Sequence, residues 1–280
     1  MAIQDSSEIF MKRITKVIFY TIAIAVALIA LFPFIWGFIT SLKPTSEVNN
    51  FSINFSEITF ESYWYILANY PFLRWFLNSF IVAILLTLGN LIINSMAGYA
   101  LARIKFRGRN VIFLSTLALM MIPAPLTIVP MFVILAKLGW INTYQGIIVP
   151  FLFNLMMIFL MRQHFLKIPR SLEEAAEIDG LGRFGIFFRI ILPVSKPILA
   201  AQFIIVYVGN WNSFLWPQLL LRTEDMYTLP IGLDSFYGQF VQFWNQVLAG
   251  TMLLSIPMIV IFLIFQKQFV QGIAGEGIKD

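Results

Sequence analysis

The chain has 280 residues, 59% of them apolar and only 12% charged, against roughly 45–50% and 25% in an average soluble domain, so its composition is that of a membrane protein. Nineteen Lys and Arg against fourteen Asp and Glu leave a net charge of +5, whose meaning depends on where the charges fall relative to the membrane. The absence of cysteine excludes a disulfide framework, a thiolate nucleophile and a thiolate metal site.

Six apolar stretches without Asp, Glu, Lys or Arg follow one another along the chain, at residues 17–39, 75–102, 110–136, 144–161, 197–221 and 236–266. Each can hold a span of about 20 residues, which at 1.5 Å per residue crosses ~30 Å of hydrocarbon. The first has a basic start like a signal peptide, but it is too long for an h-region and runs into Phe32-Pro33-Phe34-Ile35-Trp36 with no small-residue cleavage site, so it is read as a retained span. Residues 40–74 form an outer loop, with Tyr63, Trp64 and Tyr65 suited to the interface. In the second stretch Gly89 and Gly98 point to close helix contacts. In the third, Pro123, Pro125 and Pro130 predict a bent helix. The fourth is diluted by Asn142, Tyr144, Gln145 and Pro150. The Met120-Met121 and Met156-Met157 pairs read as span packing.

An even number of spans places both termini on one side, and fifteen of the nineteen basic residues then share that side. Only Lys43, Arg74, Lys137 and Arg222 lie opposite. Positive residues are retained in the cytoplasm, so both termini and the loop at 163–196 are read as cytoplasmic, and topology explains the basicity without a nucleic-acid partner. No ionisable residue lies inside the stretches, which speaks against a proton- or ion-coupled carrier and against an intramembrane hydrolase. No GxxxxGK[ST] loop is present to hold ATP, and the single histidine, His164, excludes a histidine metal cluster and reads as a solvated interface residue.

The loop at 163–196 carries the most local pattern. Ser171 and Glu174 have capping-box spacing, which predicts a helix from Leu172 through Ile178. Gly180 stands where a left-handed C-cap is favoured. A second helix is predicted over 183–191, ending before Pro193 and anchored by Phe187 and Phe188. The residues alone leave open whether this hairpin docks another protein, through small Ala175 and Ala176, or rests on lipid headgroups.

Glu174-Ala175-Ala176, three residues, Gly180, nine residues and then Ile190-x-Leu192-Pro193 resemble the EAA signature of ATP-binding-cassette importer permeases, and Asp179 fits it too. "FPFIWGFITSLKP", "FLNSFIVA", "GNWNSFLWPQLLL" and the tail "FVQGIAGEGIKD" extend the resemblance to the maltose-type carbohydrate permeases over nearly the whole chain. It implies an all-α, six-span type I permease fold in a bacterial or archaeal cell membrane, with an N-terminal segment, first span and outer loop at 1–73, a transmembrane domain at 74–266 and a cytoplasmic tail at 267–280. It further implies a non-catalytic subunit that pairs with a second, longer permease, receives carbohydrate from an extracytoplasmic binding protein and is driven by two ATPase subunits. ATP and Mg would be held by those ATPases, and this chain would carry no cofactor. Glu174, Ala175, Ala176, Asp179 and Gly180 would be the ATPase-coupling residues, with residues 269–280 as a further contact. A sugar phosphate or osmolyte remains an alternative solute.

For the solute itself, Asn210, Trp211, Asn212 and Trp216 combine amides with aromatic faces, the pairing that suits a sugar ring. Span asparagines that bind neighbouring helices, and belt tryptophans, give an alternative reading that applies also to Asn78, Asn90, Asn94 and Asn154. Residues 222–242, with Glu224, Asp225 and Asp234, are read as the loop that meets the binding protein.

Overall fold

The structure, a computed structural model, describes residues 2–50, 52, 54–236 and 243–277, and every regular element among them is helical. Part of the expected outer loop at 222–242, the start of the sixth stretch and the end of the tail lie outside the described residues. Among the described residues, four helical segments are long and apolar enough to cross a membrane: Arg13–Ser41, Phe72–Arg103, Tyr144–Lys167 and Trp244–Gln266. The third and fifth stretches are sharply bent helix pairs, which bring the number to six if each pair counts as one span.

The chain divides into two compact units. The smaller holds residues up to Tyr70 together with Phe236–Leu253. Its first helix, α1 (Ala2–Ser41), runs through Pro33 without ending, and only 6% of its most apolar window is buried. Such a surface calls for lipid or another subunit as its solvent. Beyond it, buried Lys43 donates to the carbonyls of Asn50 and Ser52 at 2.6 and 2.9 Å, which folds the outer loop back on itself. Helix α2 (Glu61–Asn69) turns Tyr63 inward, 2.7 Å from Ser41 Oγ, and burial raises the pKa of that phenol. Trp64 and Tyr65 stay exposed, so two of the three expected interface aromatics face outward.

The larger unit holds Pro71–Ser235 and the chain from Leu254. Its axis is α3 (Phe72–Arg103), flanked by α4 (Arg109–Met120), α5 (Ala124–Lys137), the short α6 (Tyr144–Ile148) and α7 (Leu155–Lys167). Helices α4 and α5 meet at 103° across Met121–Pro123, where the first of the three prolines stands as N-cap of α5. Within the fourth stretch the helix is broken between Phe151 and Leu155. Backbone groups freed at membrane depth must find partners inside the protein. Asn90 Nδ2 donates to Phe151 O at 3.0 Å, Asn94 Oδ1 accepts from Asn154 N at 3.2 Å, and Asn154 caps α7 through Met157 N. The span asparagines thus repair a break in the neighbouring helix. Below it, Gly98 lets α7 lie directly on α3, where an added Cβ would stand 2.8 Å from Met161 Cβ and 3.0 Å from Arg162 N.

Helices α8 (Ser171–Ile178) and α9 (Arg183–Val194) follow α7, and α9 turns by 81° into α10 (Lys196–Trp211). The fifth stretch does not continue as one helix to Leu221: it stops at Trp211, where Asn212 Nδ2 turns back to Val208 O, and resumes as α11 (Leu215–Leu220). The following segment, with α12 (Leu229–Asp234), is strapped to the start of α3. Asn78 Nδ2 donates to Asp225 O and Tyr227 O, Trp75 Nε1 donates to Glu224 O, and Ser79 Oγ accepts from Leu229 N. The carboxylates of Glu224 and Asp225 are left in exposed residues while their carbonyls are held. A last helix, α13 (Trp244–Gly277), closes the chain.

Candidate functional site

The hairpin at 171–194 sits on an apolar core of Tyr99, Ala102, Met161, Phe165, Ile168, Ala176, Ile186, Phe187 and Ile191. Its first helix does not use the expected capping box. Arg170 is already helical (φ −67°, ψ −27°) and its carbonyl takes the amides of Glu173 and Glu174 at 2.9 and 3.0 Å, so Ser171 lies inside the first turn and no side chain caps it. Glu173 and Glu174 in that turn complement the positive end of the helix. At the other end the expectation holds: Gly180 has φ +81°, its amide reaches Glu177 O at 3.0 Å, and Leu181 N reaches Ala176 O at 2.9 Å, a Schellman closure.

The second helix differs from expectation in continuing through Pro193 to Val194. Residues 187–191 form a π-turn in which Leu192 N bonds Phe187 O, five residues back. That widened turn takes the place of the i→i−4 bond a proline cannot donate. Phe187 is 2% exposed and anchors the hairpin, whereas Phe188 is 49% exposed and does not. His164, read as solvated, instead stands 3.1 Å from the buried Ser195 Oγ, which itself donates to Ile191 O.

Four of the five coupling candidates lie on the open surface of α8 and of the turn that ends it: Glu174, Ala175, Asp179 and Gly180. Ala176 does not, because its methyl is packed into the hairpin's own core at 4% exposure. Beside them Ile178 is 87% exposed and Phe184 is 71% exposed, two large apolar side chains the motif did not single out. The sequence reading also missed a buried ionic group beneath the helix. Glu173 Oε1 lies 3.0 Å from Arg103 Nε, and Tyr99 Oη donates to Glu173 Oε2 at 3.1 Å. Arg103 Nη2 donates to the carbonyls of Phe165 and Ile168 as well. The i, i+4 spacing of Tyr99 and Arg103 at a span end was the available signal, but nothing in the sequence says that Glu173 answers it.

The four pathway candidates separate. Trp211 is fully buried and donates to Leu254 O at 3.0 Å, which makes it a packing residue; Asn212 is exposed, with Nδ2 on Val208 O and Met258 Sδ, and the Nδ2 of Asn210 is likewise spent on Val206 O at 2.8 Å, leaving its carbonyl oxygen as the group it can offer. Asn210 and Trp216 line a cavity of about 100 Å³ shared with Ser79, Phe151, Ser213 and Thr228. Trp216 and Phe151 are tilted together there, with ring centroids 5.2 Å apart.

A profile of the family described as "Binding-protein-dependent transport system inner membrane component" matches residues 94–275, which include the hairpin and the cavity's later half. The chain belongs to that family. As a member it is a multi-pass inner-membrane permease of an ATP-binding-cassette transport system, a class in which ATP is hydrolysed by a separate subunit. The permease is 35% identical over 282 residues to the arabinooligosaccharides transport system permease protein AraQ of Bacillus subtilis (strain 168), the alignment spanning 99% of both chains. It is 30% identical over 267 residues to the lactose transport system permease protein LacG of Rhizobium radiobacter, across 95% of this chain and 97% of that relative. Its fold matches a chain of a bacterial ABC transporter involved in the import of the acidic polysaccharide alginate, with a TM-score of 0.83 and 26% identity over 92% of this permease and 97% of that chain.

Proposed function

We propose that this permease forms half of the translocation pathway for a carbohydrate handed over by an extracytoplasmic binding protein, and that it is driven through the α8–α9 hairpin by ATPase subunits bearing ATP and Mg. The observation that carries the solute class is near full-length similarity to permeases named for arabinooligosaccharides and lactose. The cavity at Asn210 and Trp216 supports it, since an aromatic face beside amide and hydroxyl groups suits a sugar ring. A second, longer permease would supply the other half. Glu174, Ala175, Asp179 and Gly180 form the surface offered to an ATPase, with Ile178 as an apolar knob among them, and Ala176 holds that surface in place from inside. ATPase closure would then bias the spans between two states through a ligand they do not themselves bind. Six spans, with both termini cytoplasmic, complete this reading.

Its test is ATP hydrolysis by the purified complex in the presence of binding protein and a panel of neutral oligosaccharides, sn-glycerol-3-phosphate and amino acids. Oligosaccharides are expected to stimulate, and stimulation by amino acids alone rejects the carbohydrate assignment. Topology is checked separately. The chain has no cysteine, so Ile178→Cys gives a single exposed reporter. That thiol is expected to resist a membrane-impermeant reagent added outside intact cells and to react in inverted vesicles stripped of the ATPase; labelling from outside reverses the orientation.

A further inference from the structure

We propose that the group formed by Arg103, Glu173 and Tyr99 is the joint that carries movement of α8 into the membrane span α3, so that these three are positioning residues for coupling although none lies on the docking surface. This rests on the reading of α8 as the element an ATPase grips.

Helix α8 has eight residues, too few to be stable alone, and short connections join it to α7 and α9. A push on such a helix is absorbed by its connections unless something ties it to a long element. Two residues of its inner face are buried, Glu173 and Ala176, one turn apart. A methyl group slides over apolar neighbours, and its contacts have no preferred direction. The two oxygens of the Glu173 carboxylate have different partners: Oε1 faces the Arg103 charge, 3.0 Å from Nε, and Oε2 accepts a hydrogen bond from Tyr99 Oη at 3.1 Å, and both partners stand on the last turns of α3. Arg103 is held in turn by the carbonyls of Phe165 and Ile168 at the end of α7. One guanidinium therefore joins α3, α7 and α8, through its charge to Glu173 and its hydrogen bonds to the α7 carbonyls, while the hydrogen bond from Tyr99 to the same carboxylate fixes direction.

The burial of the pair points the same way. Side-chain exposures are 4% for Arg103 and 8% for Glu173, whereas a second ion pair on α8, Glu177 with Arg183, is 45% and 56% exposed and constrains little. A buried ion pair is a poor source of net stability compared with apolar residues of like volume, and its best-attested use is to fix register. Here the register fixed is that of α8 on the end of α3.

The experiment uses the transporter purified with its partner subunits and reconstituted in vesicles. It measures ATPase retention, ATP hydrolysis and solute uptake on the same preparation. Glu173→Gln and Arg103→Lys are expected to keep the ATPase bound while uptake per ATP hydrolysed falls about fivefold or more, the lower end of usual coupling energies. Tyr99→Phe leaves the ion pair intact and is expected to lower the same ratio about twofold to tenfold, the worth of one hydrogen bond. A purely structural role would lower uptake and hydrolysis together and leave their ratio unchanged, and that result overturns the proposal. Should Glu173→Gln and Arg103→Lys fail to assemble, Tyr99→Phe decides alone: an unchanged ratio, or loss of the ATPase, refutes the joint. Ala175→Glu, on the open face of α8, separates the two readings: if it leaves retention intact, the docking assignment fails by itself.

Discussion

Gly98→Ala lowers the stability of this permease more than Gly89→Ala does, although the Cβ added at 89 makes the shorter contact. At 89 the obstacle is Leu152 Cδ2 at 2.3 Å, the tip of a flexible side chain that can rotate away. At 98 it is Met161 Cβ at 2.8 Å, Arg162 N at 3.0 Å and Ile158 O at 3.2 Å, atoms on or next to the backbone of α7. Relief there requires the two helices to separate, which loosens the core at Met161 and Phe165 and strains the group at Arg103. Overpacking of this kind costs about 1–3 kcal/mol. The gain in helix propensity from Gly to Ala, about 1 kcal/mol, is available at both sites and offsets the cost only at 89. Thermal unfolding in detergent is expected to show a clear fall in midpoint for Gly98→Ala and little change for Gly89→Ala. Equal midpoints would mean that α7 does not lie on α3 through Gly98.

Substitution of Gly180 is expected to weaken transport in the order Asn, Ala, Val. An added Cβ meets nothing within 4 Å, so steric space is not the obstacle; the backbone at φ +81° is. A left-handed conformation costs an ordinary L residue about 1–2 kcal/mol, asparagine less and a β-branched residue more. If that cost opens the Schellman closure, the amides of Gly180 and Leu181 lose Glu177 O and Ala176 O, and Ile178 and Asp179 leave the positions that α8 holds for them. A loss of about 1.4 kcal/mol in the docking-competent conformation is a tenfold loss of ATPase retention, the scale expected for Val. Asn is expected to stay close to the parent. If Asn fails as badly as Val, the glycine matters as a point of contact with the partner and not as a turn.

Much of this was open to the sequence. Stretches of about 20 apolar residues have few physical solutions in a bilayer, so helical spans and their number within a range follow from composition and charge placement. The EAA spacing is local, and so is the glycine that ends α8; both depend on residues within one hairpin, where backbone preference decides. The left-handed turn at Gly180 was legible for that reason, and the docking role of Glu174, Ala175, Asp179 and Gly180 is a proposal built on it.

What the sequence left undecided depends on partners far apart along the chain. Ala176 reads like Ala175 until the core of Tyr99, Phe165 and Phe187 shows which methyl is covered. Asn210 and Trp216 share a cavity while Trp211 and Asn212 do not: Asn210 and Trp211 are neighbours on one helix and point about 100° apart around it, and the break after Trp211 brings Trp216 back to the side of Asn210. Glu173 looks like one more surface acid in a charged loop. Only the fold places it against Arg103 and Tyr99, the latter 74 positions earlier in the chain. Periodicity and motif spacing report what a residue does to its own helix, whereas the pairing of a buried charge is settled by where two distant helices end.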